Sequence, residues 1–292
     1  MIDYLIGVDG GGTKTRVRLA DRDGAELATG SSGPSGLHHG IDNAWNAVHA
    51  ATSGAFAAIG IDAVPMGACA IGLGMAGVHN KQWAAAFRAA NPGFGAIVLD
   101  TDGFTTLMGA HGGRPGAIVA IGTGSVGEAL RMDGTRVEVG GWGFPAGDEA
   151  SGAWMGLLAI GHIEQVLDGR AEGGAFADEV IAACGGARDP IQVWIGHATQ
   201  TDYAGLARFV VAHGGSDPVA TGILERAGIE AASIARALDP TGTLPLSLCG
   251  GLGEALRPYL PAGTLARCSA PHGDSAVGAL RMIELHLKDA DA

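Results

Sequence analysis

The sequence is short of basic residues, and this shortage limits the partners that it can bind. Its 292 residues include 18 Lys and Arg against 30 Asp and Glu, which gives a formal net charge of −12. The acidic residues are scattered along the chain, and such a surface repels the phosphates of nucleic acids and anionic membranes. We therefore expect neither nucleic acid nor a membrane as a partner.

Long apolar runs are also absent. No stretch reaches the roughly 18 to 20 uninterrupted apolar residues that a membrane span needs. The first four residues, Met1-Ile2-Asp3-Tyr4, carry no basic segment, so we expect no signal peptide and a cytoplasmic protein. Hydrophobic residues still form 47% of the composition, which supplies enough apolar surface for the two domains expected at this length.

Cysteine and histidine patterns typical of metal sites are missing as well. An adjacent pair, His38-His39, occurs without any H-E-x-x-H motif, so we expect no structural metal and leave the role of this pair open. The four cysteines show no C-x-x-C spacing and lie mostly in apolar runs, which indicates buried free thiols: Cys69, Cys184, Cys249 and Cys268.

The chain does contain two glycine-threonine turns, more than a hundred residues apart. Each turn follows a short apolar run and precedes a strand-like alternation of polar and apolar residues. Glycines leave backbone N–H groups open to a polyanion, and a neighbouring hydroxyl adds a donor. We predict that both turns bind one phosphate chain, through Gly11, Gly12, Thr13 and Lys14 in the first turn and Gly122, Thr123 and Gly124 in the second.

The segments around these turns repeat the same order of strand, glycine turn, strand, Asp-Gly turn and strand. Helical and parallel-strand patterns lie between the two repeats, which predicts an α/β protein of two lobes with a boundary near 112–116. The main elements expected are strands at 4–8, 16–19, 25–28, 67–73, 96–99, 117–121, 128–131, 136–139 and 244–249, and helices at 41–59, 104–110, 149–167, 175–183, 203–212, 218–238 and 274–287.

Two carboxylates follow predicted strands, where ligands bind in open α/β sheets. Asp9 could hold a hydrated Mg²⁺ beside the phosphates, or it could simply bond to the amides of an ordinary hairpin turn. Asp102 could be the general base that takes the proton of an attacking hydroxyl, or the N-cap of the helix after it. The residues alone leave both pairs of alternatives open.

A glycine-rich loop, 140–149, contains an aromatic residue and ends in two acids. Trp142 offers a face for the apolar side of a sugar ring, and Asp148 can accept hydrogen bonds from vicinal hydroxyls, although it could also cap the next helix. Gly250-Gly251 follows the last strand and could lie against a nucleoside or serve the fold alone. We predict a sugar site at the first of these loops.

Together these segments resemble the sugar kinase, Hsp70 and actin superfamily, and within it the N-acetylglucosamine and glucosamine kinases of the benzoyl-CoA reductase activator-type ATPases. The resemblance covers nearly the whole chain. It rests on two phosphate motifs, a first connecting segment, a sugar loop, an adenosine motif and a second connecting helix: 6–15, 121–125, 73–77, 140–148, 248–253 and 273–279.

This resemblance implies two ribonuclease H-like lobes around a cleft, residues 1–113 and 114–292, with the final helix 274–288 packing back on the first. It also implies ATP with Mg²⁺, Asp102 as catalytic base, Gly250 and Gly251 near the nucleoside, and a homodimer. The residues that it implies at the sugar are Ser35, Gly36, Ser125, Gly141, Trp142 and Asp148.

The expected reaction is phosphorylation of the 6-hydroxyl of N-acetylglucosamine. Those kinases place an Asn in the first-lobe sugar loop where this chain reads Pro34-Ser35-Gly36, so glucosamine stays open as the substrate. Two alternatives to a kinase are considered. One is an ATPase that activates a redox enzyme, which needs exposed thiolates to hold a cluster. The other is a sugar-sensing regulator without catalysis.

Overall fold

The computed structural model describes residues 2–290. Its strands are β1 (Tyr4–Gly10), β2 (Thr15–Asp21), β3 (Glu26–Ser32), β4 (Cys69–Met75), β5 (Ala96–Asp100), β6 (Gly116–Ile121), β7 (Ser125–Leu130), β8 (Arg136–Gly140) and β9 (Leu246–Cys249). Its helices are α1 (Ile41–Ala58), α2 (Lys81–Ala89), α3 (Asp102–His111), α4 (Gly152–Leu167), α5 (Ala175–Ala183), α6 (Arg188–His197), α7 (Gln200–Gly205), α8 (Ala207–His213), α9 (Pro218–Leu238), α10 (Gly253–Leu256), α11 (Ala262–Leu265) and α12 (Ser275–Ala290).

The chain divides into two compact units. The first comprises residues 2–116 and 270–290 and contains a five-stranded sheet in the order β3-β2-β1-β4-β5. Strands β1 to β3 form an antiparallel meander, whereas β4 and β5 run parallel to β1. Helix α1 packs on one face, and α3 and α12 cover the other. Gly72 permits this close approach, because a Cβ there would collide with the carbonyl oxygen of Ala279 in α12.

The second unit, Ala117–Ser269, contains a four-stranded sheet in the order β8-β7-β6-β9. Strands β7 and β8 are antiparallel, and β9 runs parallel to β6. Its core is formed by these strands and by apolar faces of α4, α5, α8 and α9, including the fully buried side chains of Phe176 and Ile121. The α/β class and the repeated strand order predicted from the sequence are therefore confirmed.

Several predicted boundaries were wrong. The helix expected from Glu149 begins at Gly152, because Asp148 and Ala150 have left-handed φ angles of 62° and 68° that a helix cannot include. The helix expected at 203–212 is broken at Leu206, whose amide bonds three residues back to Tyr203. Helices α2 and α6 had not been predicted. No helix within residues 2–290 has both the length and the apolar character needed to cross a bilayer.

Candidate active site

The first glycine-threonine turn joins β1 to β2 as a tight hairpin. Gly10 pairs with Thr15, and the Gly11 amide donates to the carbonyl oxygen of Lys14 at 3.1 Å. In the described part of the chain, the next three amides, those of Gly12, Thr13 and Lys14, donate to no protein acceptor. Successive free N–H groups form a concave site for an anion. The turn is therefore a hairpin, as its sequence predicted, with donors available for a ligand.

Asp9 stands at the end of β1, directly before this turn. Burial raises the pKa of its carboxyl group above the usual value, and the nearby Asp102 carboxylate raises it further. The Ser275 hydroxyl opposes this rise by hydrogen bonding to Asp9, and Ser275 is itself bonded to Thr105 at 2.8 Å. Strand β1 and helices α3 and α12 thus bring two carboxylates together beside the turn.

Asp102 is not the N-cap of α3. Thr101 holds that position, and its hydroxyl accepts a hydrogen bond from the Phe104 amide at 3.0 Å. Asp102 is the first residue of the helix, where the positive end of the helix dipole favours a negative charge. The N-cap interpretation of Asp102 is therefore wrong.

Ser275 is positioned by an ion pair at the start of α12. The Arg18 guanidinium donates to both carboxylate oxygens of Asp274, at 3.1 and 2.9 Å, and Asp274 also accepts from the Val277 amide at 3.0 Å. Although burial opposes it, these bonds hold the pKa of Asp274 below its usual value. The bidentate pair fixes the first turn of α12 and, with it, the Ser275 hydroxyl.

The predicted sugar-loop residues Ser35 and Gly36 lie against the first turn. Their amides donate to the carbonyl oxygen of Gly11 at 3.1 and 3.0 Å. Ser35 is fully buried, and its hydroxyl is bonded to that of Thr15 at 2.7 Å. Its side chain thus connects the loop to β2.

The second glycine-threonine turn joins β6 to β7. The Gly122 amide closes it on the carbonyl oxygen of Gly124 at 2.9 Å, and the first amides of α4 donate to the carbonyls of Gly122 and Thr123 at 2.8 and 3.2 Å. Among the described residues, the amides of Thr123 and Gly124 donate to no protein acceptor. This turn also leaves donors free, and its carbonyls are occupied by the helix behind it.

Asp148 is buried, 5% exposed, beside the second turn. Burial raises the pKa of its carboxyl group, while hydrogen bonds from the Ser125 amide, the Gln200 side chain and the Gly143 amide oppose the rise. The Gln200 bond is 2.6 Å long. The N-cap of α4 is Ser151, which accepts from the Trp154 amide at 3.1 Å, so the N-cap interpretation of Asp148 is wrong.

The remaining predicted residues of this unit lie around Asp148 and the end of β9. The Ser125 hydroxyl donates to the carbonyl oxygen of Glu149 at 2.6 Å. Gly141 has a left-handed φ of 69°, and Trp142 after it is 87% exposed. Gly250 has a φ of 82°, and a Cβ there would collide with the carbonyl oxygen of Ile121, whereas Gly251 is open. Gly250 therefore serves close packing of the turn against β6.

The structure places three cysteines in buried positions, Cys69, Cys184 and Cys249, and Cys268 at an intermediate one. All four thiols are free, as predicted, and burial raises the pKa of Cys249 to about 12. No group of three or more His, Cys, Asp or Glu side chains within residues 2–290 forms a metal cluster.

Comparison with known proteins shows the family. A profile of the BadF/BadG/BcrA/BcrD ATPase family matches residues 6–255. The chain belongs to this family. The glucosamine kinase GspK of Vibrio cholerae is 31% identical over 281 residues, which cover 96% of this chain and 95% of that protein. A solved structure from Chromobacterium violaceum, provisionally assigned as an N-acetylglucosamine kinase, is 52% identical with a TM-score of 0.94 and covers 97% of this chain and 99% of its own.

A more distant structure supports the fold of this BadF-type ATPase. The ROK family glucokinase from Streptomyces griseus, solved with glucose and AMPPNP, is 16% identical, has a TM-score of 0.56 and covers 97% of this chain and 98% of its own. This likeness shows the fold alone, which is the two-lobed actin-like ATPase fold. The family resemblance and the fold expected from the sequence are both confirmed.

Some residues of this chain that shape the candidate site had not been singled out from the sequence. Ser275 lies within the predicted second connecting helix, but nothing in the local pattern indicates that its hydroxyl bonds to Asp9. Gln200 is 52 residues from Asp148 and lies in a polar segment typical of a solvated helix start. Both contacts arise from tertiary packing, for which the sequence carries no periodic signal.

Proposed function

We propose that this chain is an ATP-dependent amino-sugar kinase that phosphorylates the 6-hydroxyl of N-acetylglucosamine. The observation that carries the proposal is the pair of carboxylates, Asp9 and Asp102, beside a turn with three free amides. Phosphoryl transfer needs groups that hold phosphate oxygens and a base near the attacking hydroxyl. The similarity to a glucosamine kinase and to a provisionally assigned N-acetylglucosamine kinase supports this activity.

In this proposal both glycine-threonine turns bind the ATP phosphates. Within residues 2–290 their free amides and threonine hydroxyls donate to no protein acceptor, so ligand binding costs no protein hydrogen bond. Gly251 leaves open space for the nucleoside, while Gly250 keeps its packing role. The residues assigned to ATP are Gly11, Gly12, Thr13, Lys14, Gly122, Thr123, Gly124, Gly250 and Gly251.

Mg²⁺ fits beside Asp9. Burial and the neighbouring Asp102 carboxylate raise the pKa of the Asp9 carboxyl group, so its ionised form is disfavoured, and a cation beside it would offset that cost. Oxygen donors suit Mg²⁺, which usually keeps several of its waters. Asp9 would hold the ion through water, and the ion would reduce the charge of the phosphates.

Asp102 is the proposed general base. As an ionised carboxylate it accepts the proton of the sugar hydroxyl as that oxygen attacks the terminal phosphorus of ATP. Helix α3 holds it rigidly, because Thr101 caps the helix and Thr105 bonds to Ser275. The Asp102 backbone is therefore fixed while its carboxylate remains close to Asp9.

The sugar is assigned to the loops around Asp148. This carboxylate accepts hydrogen bonds from hydroxyls, and the exposed ring of Trp142 can cover the apolar face of the sugar. The other proposed contacts are Ser35, Gly36, Ser125 and Gly141. Because Ser35 is fully buried with its hydroxyl bonded to Thr15, we assign its contact to the backbone.

Glucosamine is the second candidate substrate, since a relative that matches nearly the whole chain is a glucosamine kinase. A coupled assay of ADP release across N-acetylglucosamine, glucosamine, N-acetylmannosamine and glucose separates the two. The highest kcat/KM with N-acetylglucosamine supports our assignment, and the highest value with glucosamine replaces it. Release of ADP without any sugar phosphate would contradict the kinase assignment.

Asp102→Asn tests the base. We expect kcat to fall by about 10²- to 10⁴-fold, because the proton acceptor is lost, with the dissociation constants of ATP and sugar nearly unchanged. Asp100→Asn is the matched control, since it removes a carboxylate two residues earlier, at the end of β5. Normal turnover in Asp102→Asn, or an equal loss in both variants, would remove Asp102 from the mechanism.

A further inference from the structure

Two adjacent histidines lie on the first glycine-threonine turn, and the reaction outlined above leaves them without a role. His38 and His39 belong to a short 3₁₀ turn, 37–39, and their rings are tilted by 42° to each other with centroids 4.0 Å apart. Nε2 of His39 lies 3.3 Å from the carbonyl oxygen of Gly12. Both histidines are exposed. The contact therefore joins a solvent-facing ring to the centre of the turn.

The chemistry of this contact fixes the direction of the bond. A carbonyl oxygen only accepts hydrogen bonds, so His39 carries a proton on Nε2 and donates it to Gly12. The peptide group between Gly12 and Thr13 is planar and trans, so its C=O and N–H point in opposite directions. With the carbonyl turned toward His39, the Thr13 amide points away from the imidazole. That amide is one of the three without a protein acceptor among the described residues.

The segment that carries the histidines is itself well anchored. Leu37 is buried and its amide donates to the carbonyl oxygen of Ala76 at 2.9 Å. The amides of Ser35 and Gly36 donate to the Gly11 carbonyl. Residues 35–39 thus hold two consecutive carbonyls of the turn, those of Gly11 and Gly12. The three amides described above stay without a protein acceptor among the described residues.

His38 supports this arrangement from the side. A Cβ at Gly36 would lie 2.7 Å from Cε1 of His38, and one at Gly12 would lie 3.6 Å from the same atom. Burial lowers the pKa of His38, and the neighbouring His39 lowers it further. The ring therefore fills the space between the two glycines and backs the His39 imidazole.

We propose that His39 is a positioning residue that fixes the Gly12–Thr13 peptide so that the Thr13 amide faces the ATP phosphates. The inference depends on the proposed role of this turn in ATP binding. It assigns His39 to the affinity for nucleotide, without contact to the sugar or to the reacting atoms. His38 holds the His39 ring in place through the tilted contact between the two imidazoles.

The test compares His39→Leu, which cannot donate, with His39→Gln, whose side-chain amide can. His49→Leu is the matched control, because it removes an exposed histidine of α1 whose ring contacts the Ser53 hydroxyl, far from the turn in sequence. We measure the dissociation constant of AMPPNP by calorimetry and the KM values of ATP and sugar. We expect His39→Leu to weaken nucleotide binding about three- to tenfold, as for the loss of one hydrogen bond. Because only a nucleotide-binding contact is lost, the KM for the sugar should stay within about twofold of wild type. Both His39→Gln and His49→Leu should bind AMPPNP like wild type.

Wild-type affinity for AMPPNP in His39→Leu, or a defect of equal size in His39→Leu and His39→Gln, would overturn the proposal. A fall in melting temperature with parallel losses for ATP and sugar would also overturn it, because that pattern indicates a merely structural role. If wild type binds AMPPNP but phosphorylates no hexosamine, the kinase assignment fails, while the calorimetric comparison still decides the role of His39.

Discussion

Replacing Gln200 by Met tests how the buried Asp148 carboxylate is held. Gln200 donates to Asp148 at 2.6 Å, and the Ser125 and Gly143 amides supply the other bonds. Met has a similar length but no donor, so the variant removes one hydrogen bond and largely keeps the packing. A hydrogen bond to a charged group contributes about 1.5–3 kcal/mol. We expect a loss of this size in the free energy of unfolding at pH 8.

This loss should depend on pH. Because burial raises the folded-state pKa of Asp148 above its usual 3.8, ionisation costs stability as pH rises from 3.8 through the folded pKa. Gln200 limits that cost by lowering the pKa, so its removal raises the folded pKa further. The wild type and the variant should therefore differ least near pH 3.8 and most above the folded pKa of the variant.

Urea unfolding at pH 4.5 and pH 8, followed by tryptophan fluorescence, measures both quantities. Gln192→Met, at an exposed position of α6, is the control for the substitution itself. A loss below about 0.5 kcal/mol at pH 8, less than a typical hydrogen bond contributes, would refute the reasoning. An equal loss at both pH values would refute it as well.

Two further predictions concern the first unit. Asp9→Asn should raise the melting temperature without nucleotide at pH 8, because it removes a buried charge next to Asp102, and this gain should vanish below pH 3.8. Scanning calorimetry with and without ATP measures the change, and a lower melting temperature in the variant would contradict the prediction. Gly72→Ala should cost about 1–3 kcal/mol in urea unfolding, because its methyl group would collide with the Ala279 carbonyl in α12; unchanged stability would disprove the close contact.

The strands and turns were predictable because their signals are local. Glycine turns between apolar runs and alternating segments specify both hairpins, and the observed pairing of Gly10 with Thr15 follows from that pattern. Asp9 and the turn glycines could be singled out for the same reason, since chemistry and position coincide within a few residues.

Other features could not be predicted because they depend on distant contacts. Asp148 precedes a helix, as an N-cap does, yet three hydrogen bonds hold its carboxylate and a left-handed φ separates it from α4. Thr101 and Asp102 are both good caps by residue type, and only the backbone geometry distinguishes them. His39 resembled any exposed histidine until the fold brought it to Gly12.

The return of residues 270–290 to the first unit has a consequence for biosynthesis. The ribosome produces strands β1 to β5 long before α12, so Leu5 and Ala70 lack their packing partners Leu280 and Ile283 until the second unit has been made. Ser275, which bonds to Asp9, also emerges late. A nascent chain therefore acquires the hydroxyl that bonds to Asp9 only near the end of translation of these residues, after the second unit has had time to fold.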